Sequence, residues 1–403
     1  MIELKGTYGT AKVFTDTIEP FALKQINLLL DQWITKDCSI RIMPDVHAGI
    51  GCVVGFTADL NNIVIPTLIG ADIGCGVLTI PLGNVDIDYR RFDKVVRDSI
   101  AYGLEINKTI KADFDELEDM YCYNDIIKYQ QDKILRAIGS LGSGNHFIEI
   151  DESDSGDKYL LIHSGSRHLG LDVCKYYQDQ AIISTGYLFI DLDPIVVIDN
   201  DISLYSHIPI KSLSRNYLHD MTVCQNYAAL NRFTIAKEIL ENYFNDSNVR
   251  LSSGGTFKLK QKGKYNIKTQ WFDTVHNYIG PDNITRKGAV AAYKDQLLVI
   301  PINMRDGTLI CKGKGNKDWN YSAPHGAGRI MSRSKAKETI SLTDYKDSMK
   351  GIYSSCINES TIDESAFAYK NMSDILDNIK DTVTVETIIK PRYNFKADNR
   401  EDI

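Results

Sequence analysis

The chain has 403 residues, of which 46 are basic and 53 acidic, so its formal net charge is −7. Hydrophobic residues make up 43% and charged residues 25%, proportions that exclude a mainly disordered chain and a collagen-like fibre. The net negative charge also excludes a generally basic coat for nucleic acid, so a nucleic-acid partner requires a local basic surface.

Targeting and redox features predict a cytoplasmic protein that does not contact a membrane. No run approaches the roughly 18–20 apolar residues of a membrane span. Residues 1–10 lack the basic-then-apolar pattern of a signal peptide. The eight cysteines are widely spread and form no CxxC pair, which argues against a zinc ribbon or a disulfide scaffold and favours a reducing compartment.

Hydrophobic periodicity alternates between short strands and longer helices along the chain. It predicts, in chain order, a helix over 20–36, strands at 39–43, 51–57, 63–66 and 77–81, helices over 89–104 and 113–139, strands at 145–150 and 159–163, helices over 172–183 and 217–244, strands at 264–279, 284–291 and 296–302, and helical structure after Gly328. Glycine-containing turns between the early strands indicate a sheet whose loops gather at one rim. The polar tail 397–403 is predicted to be loose.

Metal-capable side chains stand beside glycines in five separated segments, at 44–49, 70–76, 142–149, 163–167 and 325–329, and the pair His276-Asn277 adds a sixth place. Taken alone, each has an ordinary structural interpretation: a hydrogen-bonded histidine, a small buried cysteine or an acidic turn residue. Six of the eight histidines nevertheless lie in or beside these segments: His47, His146, His163, His168, His276 and His325. Because catalytic groups are often placed on glycine-containing loops, the combination predicts a functional site.

Asp72 and Cys75 are three residues apart across a glycine-containing turn. A carboxylate and a thiolate placed in this way could face one pair of metal ions, with imidazoles completing the ligand sets, and such mixed ligands suit Zn²⁺ or Mn²⁺. A structural mononuclear zinc site with four protein ligands is the alternative. The spacing does not separate these two interpretations.

A basic segment follows the glycines at 326–328. On a helix, Arg329, Arg333 and Lys337 would form one stripe, and a glycine-rich approach to a helix start can bind anions. A solvated helix face is the plain alternative. Beside a histidine and a candidate metal pair, we expect the stripe to handle phosphate.

These segments together resemble the RtcB RNA ligases. The matching motifs, which cover the chain from about residue 40 to residue 396 in family order, are PDVHAG (44–49), GADIGCG (70–76), LGSGNHFIEI (141–150), HSGSR (163–167), HN (276–277), TRKGA (285–289), HGAGRIMSRSKA (325–336) and AYK (368–370). The resemblance implies a single α+β domain over 1–403, with a β-sandwich-like core and flanking helices. It also implies a GTP- and Mn²⁺-dependent ligase that joins RNA 3′-phosphate or 2′,3′-cyclic phosphate ends to 5′-hydroxyl ends, in RNA repair or tRNA splicing.

The resemblance also implies a role for each matching residue. Cys75 would bridge two manganese ions, Asp72 and His146 would complete one site, and His163 and His276 would complete the other. His325 would attack the α-phosphate of GTP and carry GMP, with Asp45 orienting its ring. The implied nucleotide-site residues are Asn145, Glu149, Asn303, Thr308, Gly326, Ala327, Gly328, Tyr369 and Lys396.

Three places depart from the common family pattern: Ile50 after PDVHAG, His168 after HSGSR, and Ile302-Asn303 where Gly-Ser is usual. These departures fit a divergent subfamily, coupled to a release-factor-like or archease-type protein partner. The altered loop leaves open a metal-dependent RNA end-processing phosphodiesterase that has lost nucleotidylation. A non-catalytic RNA-binding subunit is a further alternative, but it should lack some metal ligands, and all of them are present.

Overall fold

The computed structural model describes residues 1–61, 63–185, 210–245, 250–252, 256–260 and 266–397. The helices in these residues are α1 Pro20–Leu30, α2 Pro66–Ile69, α3 Tyr89–Ser99, α4 Gln131–Ala137, α5 Arg167–Thr185, α6 Ile210–Phe244, α7 Arg333–Thr339, α8 Leu342–Ser348 and α9 Met372–Asn378. The strands are β1 Ile2–Lys5, β2 Thr10–Val13, β3 Ser39–His47, β4 Val54–Asp59, β5 Gly76–Gly83, β6 Phe147–Glu152, β7 Lys158–Ser164, β8 Arg250–Ser252, β9 Thr256–Lys260, β10 Asn266–Gln270, β11 Phe272–Val275, β12 Asn277–Ile279, β13 Ile284–Lys287, β14 Ala289–Ala291, β15 Leu297–Asn303, β16 Gly307–Gly313, β17 Ser322–Pro324 and β18 Val383–Lys396.

Two large sheets organise the described chain. One has six strands in the order β1-β2-β3-β4-β13-β12, with β2 and β3 parallel. The other has seven strands, all antiparallel, in the order β11-β5-β7-β6-β18-β16-β15. Because antiparallel neighbours run in opposite directions, the starts of β5 and β6 and the ends of β7 and β11 meet at one rim of this sheet. The α+β prediction is confirmed.

Helices α3 and α6 cover one face of the seven-stranded sheet. The buried cluster between them includes Phe92 of α3, Ile235 and Ile239 of α6, and Leu78 and Ile162 of the sheet. Residues 160–164 of β7 are all buried, so both faces of this strand are covered. Burial on both faces holds the strand ends that form the rim in fixed positions.

Most of the predicted elements are confirmed, with shifted bounds. The predicted helix over 113–139 is wrong, because 3₁₀ and π turns occupy most of it and only α4 is α-helical. The carboxylate of Asp220, a residue of α6, accepts hydrogen bonds from the backbone N–H groups of Tyr121 and Cys122. In a continuous helix these N–H groups would donate to backbone carbonyls of the same helix. The predicted strand at 63–66 is also wrong, because no strand covers these residues and Pro66 starts the short helix α2.

The sequence analysis also missed two strands of the seven-stranded sheet, β16 and β18. Of the polar tail, Ala397 is buried and residues 398–403 lie outside the described residues, as do 264 and 265 of the predicted strand over 264–279. Within the described ranges, no helix combines the length and the apolar character that a bilayer crossing requires.

Candidate metal and nucleotide site

The rim of the seven-stranded sheet brings the predicted metal ligands together. Cys75 directly precedes β5, His146 directly precedes β6, His163 is the second-last residue of β7, and His276 directly follows β11. The strand register is consistent with this arrangement, since Val77 and Phe147 both lie opposite His163. Asp72 reaches the same place from the loop between α2 and β5.

Two groups of potential metal ligands share the Cys75 thiol. Asp72, Cys75 and His146 form one group, and Cys75, His163 and His276 form the other, with the ligand atoms of each group within 4.8 Å of one another. The Cys75 Sγ lies 3.4 Å from His146 Nε2 and 3.2 Å from His163 Nε2. His163 Nε2 is in turn 3.4 Å from His276 Nε2. A sulfur placed between two sets of nitrogen and oxygen atoms could bridge two ions.

Backbone carbonyl groups orient two of the imidazole rings. The Nδ1 atom of His146 lies 2.8 Å from the Leu141 carbonyl oxygen, and Nδ1 of His163 lies 3.2 Å from that of Asn145. A carbonyl can only accept, so each Nδ1 carries the proton and each Nε2 presents its lone pair to the cluster. Metal-binding histidines characteristically donate from the ring nitrogen that does not face the metal, as these two do.

Burial favours the neutral form of two of the imidazoles. It lowers the pKa of His163 and that of His276 well below the ordinary value, and neighbouring histidines add to the shift. Burial acts to raise the pKa of Asp72, but its neighbours His146, Cys75 and His276 together outweigh that effect and the pKa falls to about 2. Burial and the Asp72 charge raise the pKa of Cys75 well above its usual range. A bound cation reverses this last effect, since a coordinating thiol loses its proton.

His325 lies beside the cluster, and its ring is held by a buried carboxylate. Its Nδ1 donates to Asp45 Oδ2 at 2.7 Å, and its backbone N–H donates to the same oxygen at 3.1 Å. The His325 and His276 ring centroids are 4.8 Å apart. Gly328 has a φ of +76°, and a Cβ there would lie 2.1 Å from the Asp45 carbonyl oxygen. Glycine at 328 therefore permits the close approach of the His325 loop to Asp45.

A cleft with about 800 Å³ of empty space opens above His163 and His325. Eight of the nine predicted nucleotide-site residues line it: Asn145, Glu149, Asn303, Gly326, Ala327, Gly328, Tyr369 and Lys396. Thr308 is buried in β16 and is not among the described residues that line the cleft. Asn303 borders the cleft, but its side chain binds within its own turn, donating to Asp306 Oδ2 at 2.9 Å and accepting from the N–H groups of Arg305 and Asp306.

Glu364, which the sequence analysis missed, is the centre of a charged network in this cleft. It lies 3.1 Å from Lys396 Nζ, 2.6 Å from Arg333 Nη1 and 2.7 Å from the Tyr369 hydroxyl. Burial acts to raise its pKa, but Lys396 and the two arginines, Arg333 and Arg329, outweigh that effect and lower it to about 2. Glu364 is thus ionised at neutral pH and orients the cations around it.

The predicted basic stripe is wrong in its geometry. Helix α7 begins at Arg333 with Ser332 as its N-cap, so Arg329 precedes the helix and the glycines at 326–328 do not lead directly into it. Arg329 and Arg333 both turn toward Glu364 and line the cleft, whereas Lys337 is exposed. Two of the three cations therefore face the cleft.

Three further residues that support the site were not singled out from the sequence. Asn231 and Arg232 of α6 contact the loops that carry the predicted metal ligands. Lys370 Nζ lies 2.7 Å from the Pro44 carbonyl oxygen, next to Asp45. Polar residues on the apolar face of a long helix were the available signal for the first two.

Most of the chain is similar to one family of known proteins. The family model for tRNA-splicing ligase RtcB matches residues 30–121 and 83–397. RNA-splicing ligase RtcB1 of Escherichia coli (strain ATCC 25922) is 27% identical over 373 residues, covering 86% of this chain and 87% of the relative. The tRNA-splicing ligase RtcB of Aeropyrum pernix is 27% identical over 417 residues, covering 82% of each chain.

Proposed function

This chain belongs to the RtcB family, and from that premise we propose that it is an RNA ligase that uses GTP and two Mn²⁺ ions. It joins RNA 3′-phosphate or 2′,3′-cyclic phosphate ends to 5′-hydroxyl ends, in RNA repair or tRNA splicing. The observation that carries the proposal is the His325–Asp45 pair, which stands beside two ligand groups that share Cys75. A nucleophilic nitrogen and a place for two cations at the base of one cleft are what nucleotidyl transfer requires.

The donor set fits a pair of manganese ions. Asp72, Cys75 and His146 would hold one ion, and Cys75, His163 and His276 the other. Three imidazoles, one carboxylate and one thiolate make a mixed set that a borderline divalent ion accepts. When bound, the ions would neutralise phosphate charge and align the attacking and leaving oxygens.

His325 supplies the nucleophile in this proposal. Because Asp45 holds the Nδ1 proton, Nε2 has a free lone pair that can attack the α-phosphorus of GTP. A P–N bond forms as the P–O bond to pyrophosphate breaks, and Asp45 balances the positive charge that develops on the ring. The GMP group then passes to the RNA 3′-phosphate, and the RNA 5′-hydroxyl displaces GMP to complete the phosphodiester.

The cleft residues provide the nucleotide site. Lys396 and Tyr369 would contact the guanine base, and Asn145, Glu149 and the loop 326–328 would also contact the nucleotide. The cations Arg329 and Arg333 line the same cleft and offer charge to phosphate groups.

One observation favours the alternative, a metal-dependent RNA end-processing phosphodiesterase. The Asn303 side chain donates a hydrogen bond to Asp306 and accepts two from backbone N–H groups of its own turn. Ile302 is buried. In this arrangement the loop 301–304 offers the nucleotide little side-chain hydrogen bonding, which would weaken GTP binding while leaving the metal ligands intact.

Labelling with α-phosphate-labelled GTP in the presence of Mn²⁺ tests the proposal. The protein should form an acid-labile, hydroxide-stable adduct, and His325→Ala should form none. Asp45→Asn should slow adduct formation by roughly 10²- to 10⁴-fold, because an amide can impose the wrong ring tautomer. His219→Ala, which changes a histidine paired with Asp220 outside the site, should label like the wild type. Cyclic-phosphate opening without any labelling of the wild type would favour the phosphodiesterase.

A further inference from the structure

Helix α6 packs directly against the loops that carry the metal ligands. Gly74 has a φ of +73°, and a Cβ at this position would lie 2.8 Å from the Cα of Gln225 in α6. Further along α6, the fully buried polar residues Asn231 and Arg232 follow. After them, Ile235 and Ile239 pack in the hydrophobic core. A polar pair on the apolar side of a helix requires specific partners, because an unpaired buried charge is very costly.

The Arg232 guanidinium joins three separate chain segments. Its Nη1 donates to the carbonyl oxygens of Gly74 at 2.9 Å and of Ser164 at 2.7 Å. Its Nε and Nη2 form a two-point contact with the Asp273 carboxylate, with the Nε–Oδ1 distance at 2.9 Å. The side chain of Arg232 is 0% exposed. The guanidinium is thus held in one orientation by four hydrogen bonds.

Each of these contacts lies next to a proposed metal ligand. Gly74 precedes Cys75, Ser164 follows His163, and Asp273 stands three residues before His276 on β11. The planar guanidinium therefore fixes the relative positions of the segments that carry Cys75, His163 and His276. These three residues are all the ligands of one of the two groups, so one side chain holds every segment on which that group depends.

Asn231 likewise holds the segment that leads to His146. Its Oδ1 accepts from the Gly139 N–H at 2.7 Å, and its Nδ2 donates to the Ser140 and Gly165 carbonyl oxygens at 3.2 Å each. Nδ2 also donates to Ser164 Oγ at 3.0 Å. Ser164 Oγ in turn donates to the Leu141 carbonyl oxygen, the group that orients His146.

We propose that Arg232, assisted by Asn231, is a positioning residue of the metal centre that sets the spacing of Cys75, His163 and His276. The inference rests on the proposed function, since it presupposes that these residues bind metal. Lysine cannot replace Arg232, because an ammonium group lacks the planar fork that reaches two carbonyls and a carboxylate together. A change in ligand spacing alters metal affinity without removing any ligand.

Arg286 provides a matched control. It is also fully buried, forms a two-point contact with Asp282, and donates to Ser322 Oγ at 2.9 Å and to the Asn320 carbonyl oxygen at 3.3 Å. Unlike the partners of Arg232, none of these residues lies within three positions of a proposed metal ligand in the chain. Arg286→Lys therefore measures how much stability is lost when a fully buried, carboxylate-paired arginine is replaced by lysine.

The experiment titrates the full chain with Co²⁺ and follows the near-ultraviolet absorption of the cobalt–thiolate bond, alongside thermal unfolding without metal. Arg232→Lys should weaken Co²⁺ binding by roughly 10- to 100-fold, the usual effect of losing a residue that orients metal ligands. Arg286→Lys should lower the unfolding temperature to a similar extent and leave Co²⁺ affinity unchanged. Asp273→Asn, which keeps the side-chain shape, should weaken binding less than Arg232→Lys and carries the test if the lysine variant does not fold.

Three outcomes overturn the inference, and each is distinct. If the wild type binds Co²⁺ while Arg232→Lys and Asp273→Asn bind it equally well, the positioning role is wrong and the metal centre stands. The positioning role is equally wrong if Arg286→Lys weakens binding as much as Arg232→Lys. If the wild type shows no cobalt–thiolate band at all, the metal centre fails and the positioning role fails with it.

Discussion

The candidate metal-ligand cluster and the candidate nucleotide cleft share one rim of the sheet, but different contacts hold their residues in place. In the cluster, the partners that orient His146 and His163 are backbone carbonyls, and α6 fixes those loops from behind. In the cleft, side chains hold one another: Glu364 is surrounded by Lys396, Arg333 and Tyr369. A backbone carbonyl remains present whatever side chain its residue carries, whereas a side-chain partner is lost with a single substitution.

This difference matches where the sequence follows the family and where it departs. The motifs that carry the metal ligands, GADIGCG, GNHF and HSGSR, are present without loss. The altered pair Ile302-Asn303 lies in the cleft, where the Asn303 side chain binds its own turn. The contrast indicates that backbone carbonyls orient two of the candidate metal ligands, whereas side-chain contacts shape the cleft.

The largest expected effect concerns the ligand that the two metal groups share. Cys75→Ala should abolish binding of both ions, because each group loses its thiolate, whereas His276→Ala should mainly weaken one. Equilibrium dialysis with Mn²⁺ should then give a stoichiometry near zero for the first variant and near one for the second. Cys311→Ala, which changes a buried cysteine in β16, should retain the wild-type stoichiometry. Equal losses in the two ligand variants would contradict a bridging role.

The sequence identified the residues that line the candidate site better than it identified the residues that hold them in place. Histidines beside glycines pointed to His146, His163 and His325 because those types carry recognisable chemistry at loop positions. Arg232 lies in a 35-residue helix, where periodicity reports burial but not the backbone carbonyls that a side chain meets. The turns at 113–139 were missed for a similar reason, since Asp220 lies about 100 residues away from the N–H groups that it binds.

A smaller effect is expected from the charged centre of the cleft. The pKa of Glu364 is lowered to about 2 despite burial, chiefly by Lys396 and Arg333. A lowered pKa contributes stability above the unfolded value near 4.5, and that contribution is lost as pH falls toward 2. Glu364→Gln should therefore reduce the free energy of unfolding at pH 7 by about 3 kcal/mol and make acid unfolding between pH 4.5 and 2 less steep.

Chemical denaturation at a series of pH values measures this contribution. Glu386→Gln is the control, because Glu386 forms a partly exposed ion pair with Lys312 at 3.0 Å. Exposed pairs of this kind contribute about 0–1 kcal/mol, so the control should follow the wild-type pH profile closely. A Glu364→Gln profile that parallels the wild type would show that side-chain pairing does not stabilise the cleft.

The smallest effect is expected at Asn303, and it tests whether the loop controls nucleotide recognition. The Asn303 side chain accepts hydrogen bonds from two backbone N–H groups and donates one to Asp306. It therefore has few hydrogen-bonding positions left for a ligand. Asn303→Ser should bind the turn more weakly and free a hydroxyl for the nucleotide. The KM for GTP in adduct formation should fall by a few-fold with kcat unchanged, since uniform binding affects KM alone. Asn316→Ser alters a comparable asparagine turn outside the cleft, where Asn316 Oδ1 accepts from the Asp318 N–H, and should change neither constant. A fall in kcat with Asn303→Ser would instead show that the turn holds the His325 loop, and the separation between the two regions would not stand.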